Sequence, residues 1–221
     1  MTAPSENTVN APSFYNKLLD ALVDKGYFIA DDFLSPELTR ALREDVLSLN
    51  QQGMAEAGIG RGEQFHLDKS IRSDKTQWLN GSTVAQKQFL KQCDELRTEI
   101  NRQLFMGLYD YEAHYAVYES GSFYQKHLDA FKGRSNRVFT NVVYLNDHWE
   151  DGWGGELAVY DENDQLVEKV LPKGGRAIFF LSERFPHEVL KTMKQRLSIA
   201  GWYRVNNNTG SYIDPAVGEH I

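Results

Sequence analysis

The hydrophobic pattern of this 221-residue chain changes its period at about residue 112. Before that point, apolar residues recur every three or four positions, which is the spacing of one face of an α-helix. After it, short runs rich in Val, Tyr, Phe and Ile are separated by Gly, Asn and Asp, which is typical of short strands. Helices followed by strands predict an α+β fold in which the helices pack against one sheet.

Three helices are predicted in the first half of the chain. The first begins near Phe14 and ends at Gly26, and the second begins with Ser35 as N-cap and Pro36 as its first residue. A third and longer helix is predicted from Thr83 to Phe105. Its buried face comprises Phe89, Cys93, Leu96, Ile100 and Leu104, so Cys93 is interpreted as a small apolar core residue.

Eight strands are predicted in the second half, and their close spacing favours an antiparallel sandwich or jelly roll. They are the runs HYAVY, FYQKHLD, VFTNVVYLN, GELAVY, QLVEKV, RAIFFL, HEVL and LSIAGWYRV. We therefore expect one domain at 14–205, with helical support at 14–105 and the strand-rich core at 112–205. Residues 1–13 and 206–221 are polar and are predicted to be flexible tails.

Charge and composition limit the classes of partner. The formal net charge is −7, which argues against nucleic acid as the main partner. No apolar run is long enough to span a bilayer, and the first residues lack the features of a signal peptide. The single cysteine cannot form an internal disulfide, so we expect a cytoplasmic protein with no membrane partner.

The tripeptide His-Leu-Asp occurs twice, at 66–68 and at 127–129, and the second copy lies in the predicted strand FYQKHLD. Residues i and i+2 of a strand project from the same face, so His127 and Asp129 would reach one point together. Joined by a second histidine, they form the 2-His-1-carboxylate triad, which suits non-haem Fe(II) and leaves coordination positions open. The sequence therefore predicts an iron site on this strand.

His187, in the segment RFPHEVL, is the candidate for the third ligand, and Arg196 follows nine residues later. That spacing fits a turn and a return into the adjacent strand. A guanidinium binds a carboxylate through two parallel hydrogen bonds. Arg196 is therefore predicted to bind one end of a dicarboxylate whose other end chelates the metal.

The first His-Leu-Asp copy lacks this context. The next histidine after Asp68 is His114, and no arginine lies near positions 123 and 124. His66 and Asp68 also fall in a polar stretch between predicted helices, so they are interpreted as loop residues.

The stretch from Tyr118 to Trp202 resembles the catalytic domain of the 2-oxoglutarate-dependent prolyl hydroxylases. In particular, it resembles the bacterial relatives of the hypoxia-inducible-factor prolyl hydroxylases. The matching pieces are VYESGSFYQKHLDAF, VVYLNDHW, GGELAVY, FFLSERFPHEV and KQRLSIAGWY, preceded by IRSDKTQWL. The resemblance implies a double-stranded β-helix (jelly-roll) core with supporting N-terminal helices.

The resemblance also implies roles for individual residues. His127, Asp129 and His187 would hold Fe(II), and Arg196 would bind the distal carboxylate of 2-oxoglutarate. Tyr144 would donate its hydroxyl to that carboxylate, and Tyr118 would lie close to metal and cosubstrate. Four residues match positions on the substrate-side rim, namely Arg72, Asp74, Arg137 and Trp202. Charge alone favours a pair between Asp74 and Arg137.

The chain departs from some relatives at Ala200, where they carry a hydroxyl-bearing residue near the cosubstrate. The implied reaction is O2-dependent hydroxylation of a prolyl residue in a cytosolic protein or peptide, with elongation factor Tu as one candidate and ascorbate as a candidate reductant. Three alternatives stay open. They are the same chemistry on a free amino acid or small metabolite, a noncatalytic jelly-roll binding module, and a zinc hydrolase.

Overall fold

The computed structural model describes residues 13–58, 67–130 and 136–206. The two predicted tails fall outside the described residues except for positions 13 and 206, and so does His66 of the first His-Leu-Asp copy. Asp68 is described, and its carboxylate accepts hydrogen bonds from the backbone and hydroxyl of Ser70 in a turn. Asp68 is therefore a loop residue, as predicted.

The three predicted helices form, and Ser35 caps the second as expected. They are α1 (Phe14–Asp24), α2 (Pro36–Gly53) and α3 (Val84–Leu104). Each helix starts after a hydroxyl residue whose side chain accepts a hydrogen bond from a backbone N–H of the first turn: Ser13, Ser35 and Thr83. Phe105 ends α3 in the left-handed conformation, with φ of 53°.

All eight predicted strands form, and three more lie in the helical half of the chain. In chain order the strands are β1 (Tyr27–Ala30), β2 (Ala55–Glu56), β3 (Lys75–Trp78), β4 (Leu108–Tyr118), β5 (Tyr124–His127), β6 (Arg137–Tyr144), β7 (Leu157–Tyr160), β8 (Leu166–Val170), β9 (Ala177–Leu181), β10 (His187–Val189) and β11 (Arg196–Val205). The first three were missed because each has only two to four residues, which is too short for a period-2 pattern.

The strands form two sheets in which every pairing between named strands is antiparallel. The large sheet has seven strands in the order β1-β9-β6-β11-β4-β3-β2, and the small sheet has four in the order β5-β10-β7-β8. The second half of the segment IRSDKTQWL is part of the large sheet, because β3 pairs with β4, whereas Arg72 before it forms an isolated bridge with Tyr124 of β5.

Side chains alternate between two cores along the central strands of the large sheet. On β4, Tyr115 and Val117 join the core that contains the helices, whereas Ala116 and Tyr118 join the core between the two sheets. Strands β6 and β9 alternate in the same way. Along these strands, alternate residues thus pack against the helices, and the residues between them face the space between the two sheets.

Among the described residues, no helix is both long and apolar enough to cross a membrane.

Candidate active site

Two histidines face each other across neighbouring strands of the small sheet. His127 on β5 and His187 on β10 are direct partners in the antiparallel register, and their ring centroids are 4.4 Å apart. In each ring, Nδ1 contacts the backbone carbonyl two residues earlier, Gln125 O at 2.8 Å and Phe185 O at 3.0 Å. A proton on Nδ1 that is donated to this carbonyl leaves Nε2 free as a ligand atom.

Asp129 completes the predicted triad. Its Oδ1 lies 3.7 Å from His127 Nε2, and its Oδ2 lies 3.6 Å from His187 Nε2. The three ligand atoms all lie within 4.8 Å of one another. Strand β5 ends at His127, so Asp129 lies in a bend beyond the strand. The prediction that Asp129 lies inside the strand was wrong. The structure still brings the three residues together.

The protonation states of the cluster suit a divalent metal. Burial, and then the nearby His187, lower the pKa of His127 to about 4, so its imidazole is neutral at physiological pH. Burial raises the pKa of the Asp129 carboxyl, but the two histidines, Arg137 and Trp202 outweigh it, and the net pKa is lowered. A neutral imidazole and an ionised carboxylate are the forms that bind metal.

A second polar group lies between the sheets beside this cluster. Arg196 on β11 is 1% exposed, and it pairs in register with Tyr118 on β4. Its guanidinium carbon is 4.9 Å from the centre of the Tyr118 ring and 5.1 Å from that of Tyr144. Tyr144 on β6 is fully buried and pairs in register with Ser198, the inward-facing residue two positions after Arg196.

The hydrogen bonds of this pocket are incomplete in a way that fits a bound carboxylate. Arg196 donates from Nε to Gly155 O (2.8 Å) and from Nη1 to Ser198 Oγ (2.9 Å). In the part of the chain that the structure describes, its buried Nη2 and the buried Tyr144 hydroxyl have no hydrogen-bond partner. Buried donors without partners are costly, so two of them side by side indicate a place for an acceptor.

Burial, opposed by Arg196, raises the pKa of Tyr144 to about 12. The phenol is therefore protonated at neutral pH and acts as a donor. Two imidazole nitrogens and one carboxylate oxygen suit non-haem Fe(II), and the unpartnered Arg196 and Tyr144 donors suit the distal end of 2-oxoglutarate. The residues present thus fit both expected groups.

The four predicted rim residues form two groups, Arg72 with Asp74 and Arg137 with Trp202. Arg72 stacks over the Tyr124 ring at 4.2 Å, and that ring in turn stacks on His127 with centroids 3.7 Å apart. Arg137 stacks over the Trp202 ring at 3.7 Å. Arg72 thus reaches the His127 ring through Tyr124, and Arg137 lies near enough to Asp129 to help lower the pKa of its carboxyl.

Asp74 is 1% exposed, and both of its oxygens accept hydrogen bonds from Arg72, at 2.8 and 2.7 Å. The residue that charge alone paired with Arg137 is thus held by Arg72. Arg137 donates from Nε to Glu112 at 2.7 Å. Glu112 was not identified from the sequence, because nothing in the pattern distinguishes it from an ordinary strand carboxylate.

Three further hydroxyl residues near the cluster were also missed. Thr140 donates to Asp129, Ser182 contacts Thr140, and Ser198 accepts from Arg196. Strand parity would have found two of them, since Thr140 shares a face with Tyr144 on β6, and Ser198 shares a face with Arg196 on β11. Ser182 follows the end of β9 and carries no such pattern.

Comparison with known proteins agrees with this geometry. Residues 113–204 match the 2OG-Fe(II) oxygenase superfamily. A solved prolyl-4-hydroxylase from Pseudomonas putida is 34% identical to the chain and superposes with a TM-score of 0.78. The match covers 86% of this chain and 97% of that structure. This chain belongs to the 2OG-Fe(II) oxygenase superfamily. Within it, the oxygenase is prolyl 4-hydroxylase-like, and the predicted double-stranded β-helix core is confirmed.

Other relatives of the oxygenase include animal enzymes. A Trichoplax adhaerens prolyl hydroxylase, solved with a hypoxia-inducible-factor peptide, is 28% identical, with a TM-score of 0.77 and coverage of 86% of this chain and 88% of its own. Human Egl nine homolog 1 is 30% identical over 188 residues, which are 80% of this chain and 43% of the human protein. The Caenorhabditis elegans hypoxia-inducible factor prolyl hydroxylase is 25% identical, and the match covers 84% of this chain and 27% of its length. The oxygenase thus spans less than half of the length of these two relatives.

Proposed function

We propose that this oxygenase uses Fe(II), 2-oxoglutarate and O2 to hydroxylate a prolyl residue of a protein or peptide substrate. The observation that carries the proposal is the His127, Asp129 and His187 cluster next to a buried arginine with an unpartnered donor. The likeness to a prolyl-4-hydroxylase over most of both chains supports the choice of proline.

In this proposal the three ligand side chains hold the metal, and their surroundings keep them ready for it. The backbone carbonyls of Gln125 and Phe185 fix the tautomers of His127 and His187, so each Nε2 stays deprotonated. When bound, Fe(II) and 2-oxoglutarate supply a coupled oxidation in which one O2 converts 2-oxoglutarate to succinate and CO2 and hydroxylates a C–H bond.

Arg196, Tyr144 and Ser198 would bind the distal carboxylate of 2-oxoglutarate. Arg196 has its Nε and Nη1 donors committed to Gly155 and Ser198, so its remaining edge is held in one direction. Tyr144 adds a protonated hydroxyl beside that edge. Tyr118 closes the pocket against the guanidinium and excludes water, because it is 4% exposed.

The substrate would approach from the side of His127. The His127 side chain is 21% exposed, whereas that of His187 is 5% exposed, so the cluster opens on one side. Arg72, Arg137 and Trp202 would line this opening, as the sequence resemblance implies, and guanidinium groups suit the carbonyl and carboxylate oxygens of a peptide. Asp74 would act indirectly, by holding Arg72 in place.

The proposal places residues 14–205 in one oxygenase domain with a cytoplasmic protein as substrate. The described cysteine, Cys93, is buried as a free thiol, which suits a reducing compartment. Elongation factor Tu is the first candidate substrate to test, on the sequence resemblance alone. Ascorbate is the corresponding candidate for a reductant, and its omission from the assay tests that role.

The first test is an anaerobic titration of the metal-free protein with Fe(II) and then with 2-oxoglutarate. We expect a visible charge-transfer band from the chelate in wild type and none in His127→Ala. His148→Ala is the matched control, because His148 is an exposed histidine that contacts Glu150 and not the cluster. A folded wild-type protein without the band would exclude the oxygenase function and leave a binding module.

The second test identifies the target. Proline-containing peptides and purified elongation factor Tu are incubated aerobically with the loaded protein, and mass spectrometry checks for the gain of one oxygen atom. The gain should be lost when the target proline is replaced by alanine. If free amino acids or small metabolites are modified and no peptide is, the protein acts on small molecules and is not a prolyl hydroxylase.

A further inference from the structure

Asp129 is the one triad residue whose position strand pairing does not set. His127 and His187 are cross-strand partners in the small sheet, and each ring is held by a backbone carbonyl. Asp129 lies two residues past His127, beyond the end of β5. A carboxylate in a bend is free to rotate about its side-chain torsions unless other groups hold it. Its orientation toward the two imidazoles therefore needs a separate explanation.

The large sheet supplies a hydrogen bond to this carboxylate. Thr140 on β6 is 1% exposed, and its hydroxyl donates to Asp129 Oδ2 at 2.9 Å. The same hydroxyl lies 2.8 Å from the hydroxyl of Ser182. A hydroxyl has one proton, and that of Thr140 is committed to the carboxylate. Ser182 is therefore the donor in the second bond, and the two bonds form a directed relay from Ser182 to Thr140 to Asp129.

Both hydroxyl residues are held in place by the backbone of the large sheet. Ser182 is fully buried, directly follows β9, and donates its backbone N–H to Val138 O at 3.1 Å. Thr140 pairs in register with Phe180 of β9, so Thr140 lies on the strand next to the one that Ser182 follows. Threonine is branched at Cβ and has few side-chain rotamers, which restricts its hydroxyl further.

We propose that Thr140 and Ser182 are positioning residues that orient the Asp129 carboxylate for the metal, an inference that rests on the proposed function. The relay ties a residue of the small-sheet side to the large sheet. The two carboxylate oxygens lie 3.6 and 3.7 Å from the histidine Nε2 atoms. The metal then meets three ligands already in place, because the relay replaces the torsional freedom of Asp129 with a fixed direction.

The test measures Co(II) affinity, which needs no turnover. Thr140→Val removes the hydroxyl at nearly constant volume, and we expect a loss of roughly 10-fold to 100-fold in affinity, with an altered visible Co(II) spectrum. Thr140→Ser keeps the hydroxyl and should restore affinity and spectrum. Ser182→Ala should lose less than Thr140→Val, because Thr140 still donates to the carboxylate.

Thr39→Val is the matched control. The Thr39 hydroxyl donates to Ser35 O within α2 at 2.9 Å, so its removal takes away a buried hydroxyl bond on the helical side. Its Co(II) affinity should equal that of wild type. Thermal unfolding of each metal-free variant separates loss of stability from loss of binding, since a purely structural relay would lower only the melting temperature.

Three outcomes overturn the inference. If Thr140→Val binds Co(II) with wild-type affinity and spectrum, the relay does not position Asp129, and the proposed function is unaffected. Equal losses in Thr140→Val and Thr140→Ser would assign the effect to packing. No Co(II) binding by folded wild-type protein would remove the proposed function together with the inference. If Thr140→Val does not fold, Ser182→Ala decides, and unchanged affinity and spectrum there count against the relay.

Discussion

At the scale of single residues, the proposed cosubstrate pocket contains polar groups that have no hydrogen-bond partner among the described residues. The buried Tyr144 hydroxyl has no partner among the described residues, although a buried donor normally has one. Such a group costs stability in the metal-free protein and contributes only when a ligand supplies an acceptor. Removal of the hydroxyl should therefore weaken ligand binding without lowering the stability of the protein.

Tyr144→Phe should weaken 2-oxoglutarate binding by about tenfold or more, since a hydrogen bond to a charged group contributes roughly 1.5–3 kcal/mol. The melting temperature of the metal-free variant should equal or exceed that of wild type, because the lost hydroxyl had no partner. The charge-transfer band, titrated with 2-oxoglutarate, gives the affinity.

Tyr203→Phe is the matched control for this prediction. The Tyr203 hydroxyl is also buried without a hydrogen-bond partner among the described residues, but its ring lies in the core that contains the helices. We expect unchanged 2-oxoglutarate affinity there. Equal affinity in Tyr144→Phe and wild type would contradict the role of Tyr144.

His114 links stability to pH. Burial, and then the nearby Arg72, lower its pKa to about 4, against about 6.5 in the unfolded chain. The unfolded state therefore takes up a proton at a higher pH than the folded state does. Stability from this group is complete above pH 6.5 and is lost as the pH falls from 6.5 to about 4, by roughly 3 kcal/mol.

His114→Gln should remove this dependence while keeping an uncharged polar side chain on β4. Urea unfolding of the metal-free proteins between pH 4 and pH 7 measures it. His127 contributes equally to both proteins, so the difference between the two curves isolates His114. Parallel curves over the whole range would show that His114 does not titrate as a buried group.

At the scale of elements, one carboxylate joins two helices to the large sheet. Asp45 on α2 accepts three hydrogen bonds on the same oxygen, from Tyr115 on β4 (2.7 Å), Gln86 on α3 (2.8 Å) and the N-cap Thr83 (3.2 Å). The apolar faces of the helices supply most of their burial, but they do not fix how the helices dock. The hydrogen bonds to Asp45 help fix how α2 and α3 dock on the large sheet.

Asp45→Ala should lower the free energy of unfolding by roughly 2–4 kcal/mol, because it leaves three donors without their acceptor. Chemical denaturation measures the change. Glu95→Ala removes a surface carboxylate that pairs with Lys91 on α3 at 3.8 Å, and it should change stability by less than about 0.5 kcal/mol. Similar effects from the two variants would show that Asp45 is only another surface charge.

At the scale of the whole molecule, the candidate active site is divided between the sheets. The two histidines lie on the small sheet, whereas Arg196 and Tyr144 lie on the large sheet. Ligands that contact both sheets bind the folded state and not the unfolded chain, so they stabilise it. Metal and cosubstrate should therefore stabilise the protein in two separable steps.

Mn(II) and then 2-oxoglutarate should each raise the melting temperature, by about 5–10 °C when the ligand is present at 100 times its dissociation constant. His187→Ala should lose both increases. Arg196→Met should keep the first and lose the second, because the metal ligands are intact. Thermal unfolding under argon tests this. If 2-oxoglutarate still raises the melting temperature of Arg196→Met, Arg196 does not bind the cosubstrate. Chelation with EDTA should reverse both increases in wild type.

Local sequence patterns predict the helices, the eight strands of the second half and the residues of the candidate site. These depend on local patterns, such as capping hydroxyls at Ser35 and Thr83 and the alternation of side chains along a strand. The sequence also predicted His187 as the third member of the cluster and a returning strand for Arg196, from the nine-residue spacing between the two.

Several contacts between side chains of different strands follow from the folded structure and not from any local pattern. The end of β5 at His127 puts Asp129 in a bend, and the hydroxyls of Thr140 and Ser182 reach it from the other sheet. Asp74 meets Arg72, and Arg137 meets Glu112, in place of the pair that charge suggested. Hydrogen bonds between strands depend on how the two sheets pack, and that distance and direction are not encoded in any local period.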